Sequence, residues 1–267
     1  MILTRSEENY LKAIYHLGKG GEAGKDPSAG NDDAPGKGVE MGKRASMGSR
    51  IPKMEGVPIG MNMPLRKRMP VTVSTNAIAE RMQTKPSSVT DMIKKLSDKK
   101  LLEYRPYKGV FLTETGNKTA LAVIRKHRLW EVFLVDKLDF AWNEVHEIAE
   151  QLEHIQSEEL IDRLDRHLGF PKVDPHGDPI PSKEGEFKKS VKKLLAEVSI
   201  GTEGTCIGVK DSSAAFLNFL DKNHIALGDT IKVLDKEEFD GSLHITVKDR
   251  KMHISNQIAN NLYLELI

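Results

Sequence analysis

The chain has little cysteine, no long apolar run and no excess of charge of either sign. Cys206 is the single cysteine, so an internal disulfide is excluded and a reducing compartment is expected. No segment reaches the roughly 18 consecutive apolar residues of a membrane-spanning helix, and the opening MILTRSEENY lacks the apolar core of a signal peptide. We therefore expect a cytoplasmic protein with no membrane partner.

Charge is balanced along the chain, with 40 Lys and Arg residues against 39 Asp and Glu residues. The whole-chain basic bias that attracts nucleic acid is therefore absent, and any nucleic-acid surface must come from local segregation of charge. At 267 residues, of which 39% are hydrophobic and 30% charged, the chain has an ordinary globular composition. It is long enough for two or three compact units.

Aromatic residues are missing from the stretch 18–70, which is rich in Gly and Pro (GKGGEAGKDPSAGNDDAPGKG). Such a segment buries too little apolar surface to offset the entropy lost on ordering, so we predict a disordered insertion. Its second half is basic (KRASMGSR, LRKRMP). A tolerated surface loop is the preferred interpretation, because long insertions cost little stability; an arm that contacts DNA or a partner is the alternative.

Helical periodicity is present on both sides of this stretch. Apolar side chains recur at helical spacing in 5–17, in 74–82 (STNAIAERM) and again from residue 86 (PSSVTDMIKKLSDKKLL). Two short helices joined by about four residues are typical of a helix-turn-helix. The β-prone runs 102–105 and 110–112 lie on either side of a turn and predict a hairpin, the wing of a winged helix-turn-helix.

Three amphipathic helices are predicted after the wing, then a Pro-rich linker and a β-rich segment. Large apolar residues in these helices usually pack into a bundle or a partner subunit. The β-prone runs of the last segment, interrupted by one helix (AAFLNFLDKN), predict a small SH3-like barrel. The predicted fold is mainly α with small β. The predicted domains are the winged helix-turn-helix at 1–113, a helical domain at 114–170, the linker at 171–186 and the SH3-like domain at 187–267.

Acidic and imidazole side chains gather on two of the predicted helices. His127 and Glu131 are four residues apart and share a helix face. On the next helix four side chains fall within an arc of about 100°: His146, Glu150, Glu153 and His154. Buried together they would need a shared cation, and oxygen and imidazole ligands without thiolate favour Mn(II), Fe(II), Co(II) or Zn(II). The alternative is a set of solvated charges that form i,i+4 pairs.

The second helix of the predicted helix-turn-helix carries candidate DNA contacts. Hydroxyl side chains near its N-terminus suit phosphate oxygens, because the helix dipole and free N–H groups favour anions there. Lys99 and Lys100 extend a basic flank, and a carboxylate facing the groove would accept a hydrogen bond from cytosine. The predicted DNA-binding residues are Lys85, Pro86, Ser87, Ser88, Thr90, Asp91, Lys94, Lys95 and Lys108.

In this order the segments resemble the diphtheria-toxin-repressor family of iron- or manganese-dependent transcriptional repressors. The strings KPSSVTDM, RKHRLWE, AEQLEH and DPHGDPIP carry the resemblance, which covers 1–17 and the chain from residue 71 onward. It implies a homodimer that binds a palindromic operator, with Mn(II) or Fe(II) as cofactor. It also implies an FeoA-like C-terminal domain, metal-uptake genes as targets and no enzymatic activity.

The resemblance also assigns roles to the candidate ligands. The regulatory metal would be held by four residues, His127, Glu150, Glu153 and His154. Glu131 and His146 would belong to a neighbouring ancillary site. Iron-type members carry Cys at the position of Glu150, so the carboxylate favours Mn(II).

Two positions on the first helix depart from the family pattern. Asn9 matches a ligand position that usually holds Met or Asp, and its amide oxygen is an uncharged ligand. Lys12 stands where manganese-type members carry a second acidic ligand, and its ammonium would take the place of a second cation. We therefore expect one regulatory site plus an ancillary site that contains His127, Glu131 and His146.

The residues leave three other functions open. One is a metal-independent winged-helix regulator whose polar stripe is merely solvated. Another is a metal-dependent hydrolase, although a clear nucleophile or separate general base is missing. The last is an interaction module whose C-terminal barrel binds a Pro-rich partner or the DPHGDPIP linker in cis, which is compatible with repression.

Overall fold

The computed structural model describes residues 2–20, 72–105, 108–187 and 192–267. These residues form three apolar cores, one in each successive part of the chain. The predicted fold class is confirmed, since helices dominate the first two parts and a six-stranded sheet forms the third. Within the described ranges, no helix is both long and apolar enough to cross a bilayer.

The first part is a winged helix-turn-helix, as predicted. Ser74 caps the first helix of the motif by accepting a hydrogen bond from the N–H of Ala77, and Pro86 lies in the first turn of the second. Val73 and Val110 exchange backbone hydrogen bonds of 2.8 and 2.9 Å, which join the motif to the wing. The elements are α1 (Arg5–Gly20), α2 (Thr75–Arg81), α3 (Pro86–Asp98), β1 (Leu102–Arg105) and β2 (Gly109–Leu112).

The predicted start of the disordered insertion, residue 18, is wrong. Helix α1 continues to Gly20, and Lys19 in its last turn complements the negative end of the helix dipole. Residues 18–20 are therefore helical. The rest of the predicted insertion, 21–70, lies outside the described residues, as does the turn of the predicted wing at 106–107.

The second part consists of three helices, of which the first is shared between two cores. Ala120 and Ile124 pack in the first core, whereas Leu129 and Leu134 pack in the next. The first core thus extends past residue 113, where a domain boundary was predicted; the domain limits stay predictions. The helices are α4 (Glu114–Leu138), α5 (Val145–Leu152) and α6 (Glu158–His167).

Helix α5 is shorter than the predicted helix, and two candidate ligands lie beyond its end. The N–H of Glu153 closes the last turn on the carbonyl of Ala149. The chain then turns within a few residues, and α6 begins after Ser157, which caps it by accepting a hydrogen bond from the N–H of Leu160. Glu153 and His154 therefore lie in the turn that follows α5, not on the helix with the other predicted ligands.

The linker is an ordered turn. Val173 and Pro179 form an isolated β-bridge. Inside it, one carboxylate oxygen of Asp174 accepts hydrogen bonds from the N–H groups of His176 and Asp178, both at 2.9 Å. This local network fixes the positions of the side chains that the turn carries.

The linker also packs directly on the C-terminal barrel. The N–H of Val209 donates to the carbonyl of His176 at 2.9 Å. Gly177 adopts a φ of +83°, and a Cβ at this position would lie 2.0 Å from the carbonyl oxygen of Ile207. The cis contact between linker and barrel, one of the alternatives left open by the sequence, is therefore present and depends on a glycine.

The third part is an antiparallel sheet with strand order β3-β8-β4-β5-β6-β7. The helix predicted within it is confirmed as α7, but the prediction of a single helix is wrong. Ser255 caps a further short helix by accepting from the N–H of Ile258. The elements are β3 (Lys193–Leu194), a 3-10 helix (Leu195–Glu197), β4 (Glu203–Val209), α7 (Ala214–Lys222), β5 (Thr230–Lys236), β6 (Leu243–Val247), β7 (Arg250–Ile254), α8 (Asn256–Ala259) and β8 (Leu262–Leu266).

Candidate metal centre

A cavity of about 270 Å³ lies where α1, α4, α5 and the linker meet, and several predicted ligands line it. The polar side chains in and beside it form two clusters that share one histidine. The Glu131 cluster consists of His127, Glu131, His146, Asp174 and His176. The Glu153 cluster consists of Lys12, His127, Glu150, Glu153 and His154.

His127 joins the two clusters from the middle of α4. Its Nε2 lies 3.0 Å from Glu131 Oε1 and its Nδ1 lies 2.7 Å from Glu153 Oε2. Burial alone would lower the pKa of His127, but the hydrogen bonds to these two carboxylates raise it to about 9. Without a cation in place, both ring nitrogens donate and His127 is an imidazolium at neutral pH. A metal ion that takes either nitrogen must displace a proton.

The raised pKa of His127 predicts a pH-dependent stability of the metal-free protein. The folded pKa of about 9 lies above the ordinary value of 6.5. Protonated His127 therefore contributes on the order of 3 kcal/mol to the free energy of unfolding. This contribution is complete below pH 6.5 and is lost as the pH rises through 9. Urea unfolding in EDTA between pH 6.5 and 9.5 measures this loss. His127→Gln should remove most of the slope; an equal slope in both proteins would contradict the assignment.

The Glu131 cluster has the spacing of a cation site. Ligand atoms of His127, Glu131 and His146 lie within 4.8 Å of one another, and the same holds for Glu131, Asp174 and His176. His146 Nδ1 is 3.4 Å from Glu131 Oε1 and 3.2 Å from His127 Nε2. Ligands that bind one first-row cation at about 2.1 Å are separated by roughly 3–4 Å. The arrangement therefore fits a shared ion.

The buried acids of this cluster repel each other. Burial, with the nearby charges of Glu131 and Asp178, raises the pKa of Asp174 to about 7. Burial would also raise the pKa of Glu131, but hydrogen bonds with His127 and two further imidazoles hold it well below its usual range. A divalent cation would relieve the repulsion that a proton on Asp174 otherwise relieves.

Asp174 and His176 were not among the predicted ligands. His176 Nε2 donates to the carbonyl of Trp142 at 2.8 Å, which leaves Nδ1 towards Glu131, 3.8 Å from Oε2. A backbone carbonyl that fixes one ring nitrogen is usual for histidines that ligate metal through the other. The available signal was the Asp-Pro-His order within DPHGDPIP, but no helical period relates a linker to α4.

The ammonium of Lys12 contacts both glutamates of the Glu153 cluster. Its Nζ lies 2.7 and 2.8 Å from the two carboxylate oxygens of Glu153 and 3.3 Å from Glu150 Oε1. Burial would raise the pKa of Glu153, but its hydrogen bond with His127 and the charge of Lys12 hold it below its usual range. The ammonium therefore lies among the predicted acidic ligands.

His154 Nε2 in the Glu153 cluster is buried and has no hydrogen-bond partner among the described residues, and the same holds for Asn9 Oδ1, three residues before Lys12 on α1. His154 Nδ1 lies 2.5 Å from Glu8 Oε2, which leaves Nε2 as the ring nitrogen available to a ligand. That nitrogen is 3.6 Å from Glu153 Oε1. An unpaired buried acceptor is costly, and a cation that it ligates would satisfy it. Glu8 was not predicted, and no pattern in the sequence distinguishes it from Glu7.

The predicted DNA-binding residues are all exposed, on α3, its preceding residue and the wing. Thr90 Oγ1 also donates to the carbonyl of Pro86 at 3.0 Å. Lys99, from the predicted basic flank, instead pairs with Glu7 at 2.6 Å. The exposed face of α3 is therefore available to a groove, with one lysine of the flank engaged within the protein.

Three family models match the chain in succession. They are the iron dependent repressor N-terminal DNA binding domain at residues 67–110, the iron dependent repressor metal binding and dimerisation domain at 113–182, and the FeoA domain at 193–266. Their order coincides with that of the three apolar cores.

Individual relatives are similar over different parts of the chain. The iron-dependent repressor IdeR of Mycobacterium tuberculosis is 39% identical over 133 residues, which are 50% of this chain and 53% of the relative. The chain thus spans about half the length of the IdeR relatives that it matches. The diphtheria toxin repressor of Corynebacterium diphtheriae is 25% identical over 206 residues, 73% of this chain and 89% of the relative.

The fold is similar to the solved structure of a manganese-dependent transcriptional repressor in complex with manganese. The TM-score is 0.67 at 34% identity, over 73% of this chain and 91% of the other. The chain thus contains the winged helix-turn-helix (α1 to β2), which is the DNA-binding unit, the helical unit (α4 to α6) with its polar clusters, and the FeoA domain. They occur in the same order as the family models. The chain belongs to the diphtheria-toxin-repressor family.

Proposed function

We propose that this protein is a transcriptional repressor that binds operator DNA as a homodimer, with Mn(II) or Fe(II) as its cofactor. The observation that carries the proposal is the position of the two polar clusters. They lie where α1, part of the DNA-binding unit, meets α4, α5 and the linker. A ligand set divided between two units makes their relative position sensitive to a bound ion.

We infer two metal sites from the clusters. The Glu131 cluster would hold one ion through His127, Glu131, His146, Asp174 and His176. The Glu153 cluster would hold the regulatory ion through Glu150, Glu153 and His154, with Asn9 of α1 added by the resemblance to the family. A bound divalent cation supplies positive charge that groups from both units share. His127, in contact with both Glu131 and Glu153, belongs to both sites and couples them.

The mechanism follows from which elements carry these residues. Asn9 lies on α1, whereas Glu150 and His154 lie on α5 and the turn after it. A common ligand therefore favours the arrangement in which α1 packs on the helical unit. A bound ion thereby shifts the population of conformers towards the arrangement with α1 packed on the helical unit. The size of the shift is set by the difference between the ion's affinities for the packed and the unpacked arrangement. The consequence is a fixed position of α3 in each protomer.

Operator binding would use α3 in the major groove and the wing beside it. The helical unit and the segment after it expose apolar side chains that a second protomer would cover: Leu138, Phe140, Leu160 and Phe170. A dimer with two-fold symmetry presents two α3 helices related by the same axis. We therefore propose a palindromic operator, whose half-sites have the spacing of these helices.

The ligands favour Mn(II) over thiophilic metals. Glu150 contributes oxygen where a cysteine would contribute sulfur, and the Glu131 cluster contains two further carboxylates. Cys206 is buried in the core of the barrel, where burial raises the pKa of its thiol to about 11. It is therefore a thiol rather than a thiolate and is not among the residues that line the metal-site cavity, and hard oxygen and imidazole donors suit Mn(II) and Fe(II).

Operator binding titrated with metal tests the function. Duplexes selected from a randomised library, in separate rounds with Mn(II) and with EDTA, serve as probes. Mn(II) is expected to raise the affinity of the wild-type protein by about tenfold or more. Asn9→Asp adds a charged ligand and should lower the Mn(II) concentration at half-saturation. Glu150→Cys should shift the preference towards Fe(II) and Zn(II).

Lys94→Ala is the control for the DNA face. It should weaken binding in Mn(II) and in EDTA alike, and reduce the slope of log affinity against log salt by about one. Equal wild-type affinity in EDTA and in each metal would support the metal-independent regulator instead. In the described part of the chain, no observation favours a hydrolase.

A further inference from the structure

Contacts that need no metal ion already hold α1 against the helical unit. Lys12 Nζ donates to both oxygens of Glu153 at 2.7 and 2.8 Å and to Glu150 Oε1 at 3.3 Å. The Lys12 side chain is 14% exposed and that of Glu153 is fully buried. The pair therefore joins two parts of the protein through a contact largely shielded from solvent.

A second contact of opposite sign lies one turn earlier on the same face of α1. Glu8 accepts hydrogen bonds from His154 Nδ1 at 2.5 Å and Gln156 Nε2 at 3.0 Å, and lies 3.5 Å from Lys126 Nζ. Glu8 and Lys12 are four residues apart, so they point to the same neighbour. The carboxylate of Glu8 therefore faces hydrogen-bond donors of the helical unit, and the ammonium of Lys12 faces its carboxylates.

We propose that the Lys12 ammonium acts as the protein's own cation between the two units, which keeps α1 docked in the metal-free protein and excludes a second metal ion from the Glu153 cluster. This rests on the proposed function, because it concerns regulation of the same site. The metal then reinforces an arrangement that the protein's own charges already favour.

Exclusion follows from the positions of the charges. Both oxygens of Glu153 already accept hydrogen bonds from the Lys12 ammonium. A second ion bridging these oxygens would approach the ammonium closely, and two like charges repel strongly beside a fully buried carboxylate. His154 Nε2 is unpartnered among the described residues and lies 3.6 Å from Glu153 Oε1, so it leaves a place beside Glu153 for a single ion that shares this carboxylate with the ammonium.

The regulatory consequence is a reduced metal dependence. A ligand shifts an equilibrium only as far as its affinities for the two arrangements differ. If Lys12 and Glu8 keep the docked arrangement populated without metal, metal-free protein retains part of its operator affinity. Removal of the ammonium should therefore lower metal-free affinity while leaving metal-loaded affinity nearly unchanged.

Lys12→Met tests the docking, because it keeps the apolar stem and removes the charge. In EDTA we expect operator affinity to fall about tenfold, and at saturating Mn(II) to change less than about threefold. Lys12→Arg should retain wild-type behaviour. The matched control is Lys118→Met, which removes a lysine that pairs with Glu114 at the surface, 65% exposed, and should change neither value.

Lys12→Glu tests the exclusion. Equilibrium dialysis against Mn(II), with metal content measured by mass spectrometry, should show one more ion per protomer than in the wild type. Circular dichroism identifies the variants that fold. An unchanged metal-free affinity in folded Lys12→Met, or an unchanged Mn(II) count in folded Lys12→Glu, would overturn the proposal. Equal wild-type operator binding in Mn(II) and EDTA would refute the proposed function instead, and the Mn(II) count would still decide the role of Lys12.

Discussion

Replacement of Glu153 by glutamine is expected to lower the free energy of unfolding of the metal-free protein by about 3–5 kcal/mol. Glu153 is fully buried, and its carboxylate contacts Lys12 Nζ at 2.7 Å and His127 Nδ1 at 2.7 Å. The amide has nearly the same size but no charge, so a buried ammonium and a buried imidazolium would lose their shared anion. Urea unfolding in EDTA at pH 7 measures the loss.

Glu150→Gln is the matched control for this experiment. Glu150 contacts the same ammonium at 3.3 Å, but its side chain is 46% exposed. A pair screened by solvent contributes at most about 1 kcal/mol, so this variant should remain close to the wild type. Equal losses in the two variants would show that burial of Glu153 does not determine its contribution.

Replacement of Gly177 by alanine is expected to detach the linker from the barrel and to weaken metal binding at the Glu131 cluster. The added methyl would lie 2.0 Å from the backbone oxygen of Ile207, at a φ of +83°. We expect a loss of about 3 kcal/mol in the free energy of unfolding. Because Asp174 and His176 belong to the same turn, calorimetric titration with Mn(II) should show one site weakened by about tenfold or more.

Gly201→Ala separates backbone strain from the contact. Gly201 has the same φ of +83°, but a Cβ there would meet nothing within 4 Å. This variant should lose only about 1 kcal/mol and bind Mn(II) as the wild type does. If the Gly177 and Gly201 variants behaved alike in both measurements, docking of the linker would have no role in positioning the ligands.

The elements with local signals were predictable from the sequence. Ser74 and Pro86 mark the starts of the two helices of the helix-turn-helix, and both act there in the structure. The i,i+4 spacing of His127 and Glu131 brings both into the cavity. Such patterns depend on residues within one or two helical turns, so tertiary packing changed them little.

The rest of the candidate centre depends on contacts that no local pattern encodes. His176 reaches Glu131 because the linker docks on the barrel, and Glu8 reaches His154 across 146 residues of chain. The helical arc placed His154 on α5, although the chain turns after Leu152 to begin α6. Long-range docking and the exact end of a helix are set by packing, which a single sequence does not display.

Helix α4 links movements at the metal ligands to movements of the DNA-binding unit. Its 25 residues, from Glu114 to Leu138, form one uninterrupted rod about 37 Å long. The half near Ile124 is embedded in the core of the DNA-binding unit, and the half near Leu134 in the next core. His127 lies 13 residues after Glu114, about 20 Å along the helix, so by simple geometry a tilt of about 5° at the ligands displaces the N-terminal end of α4 by about 2 Å. Because α3 shares the first core with this half of α4, a small adjustment at the ligands would shift α3 relative to the second core without a hinge motion.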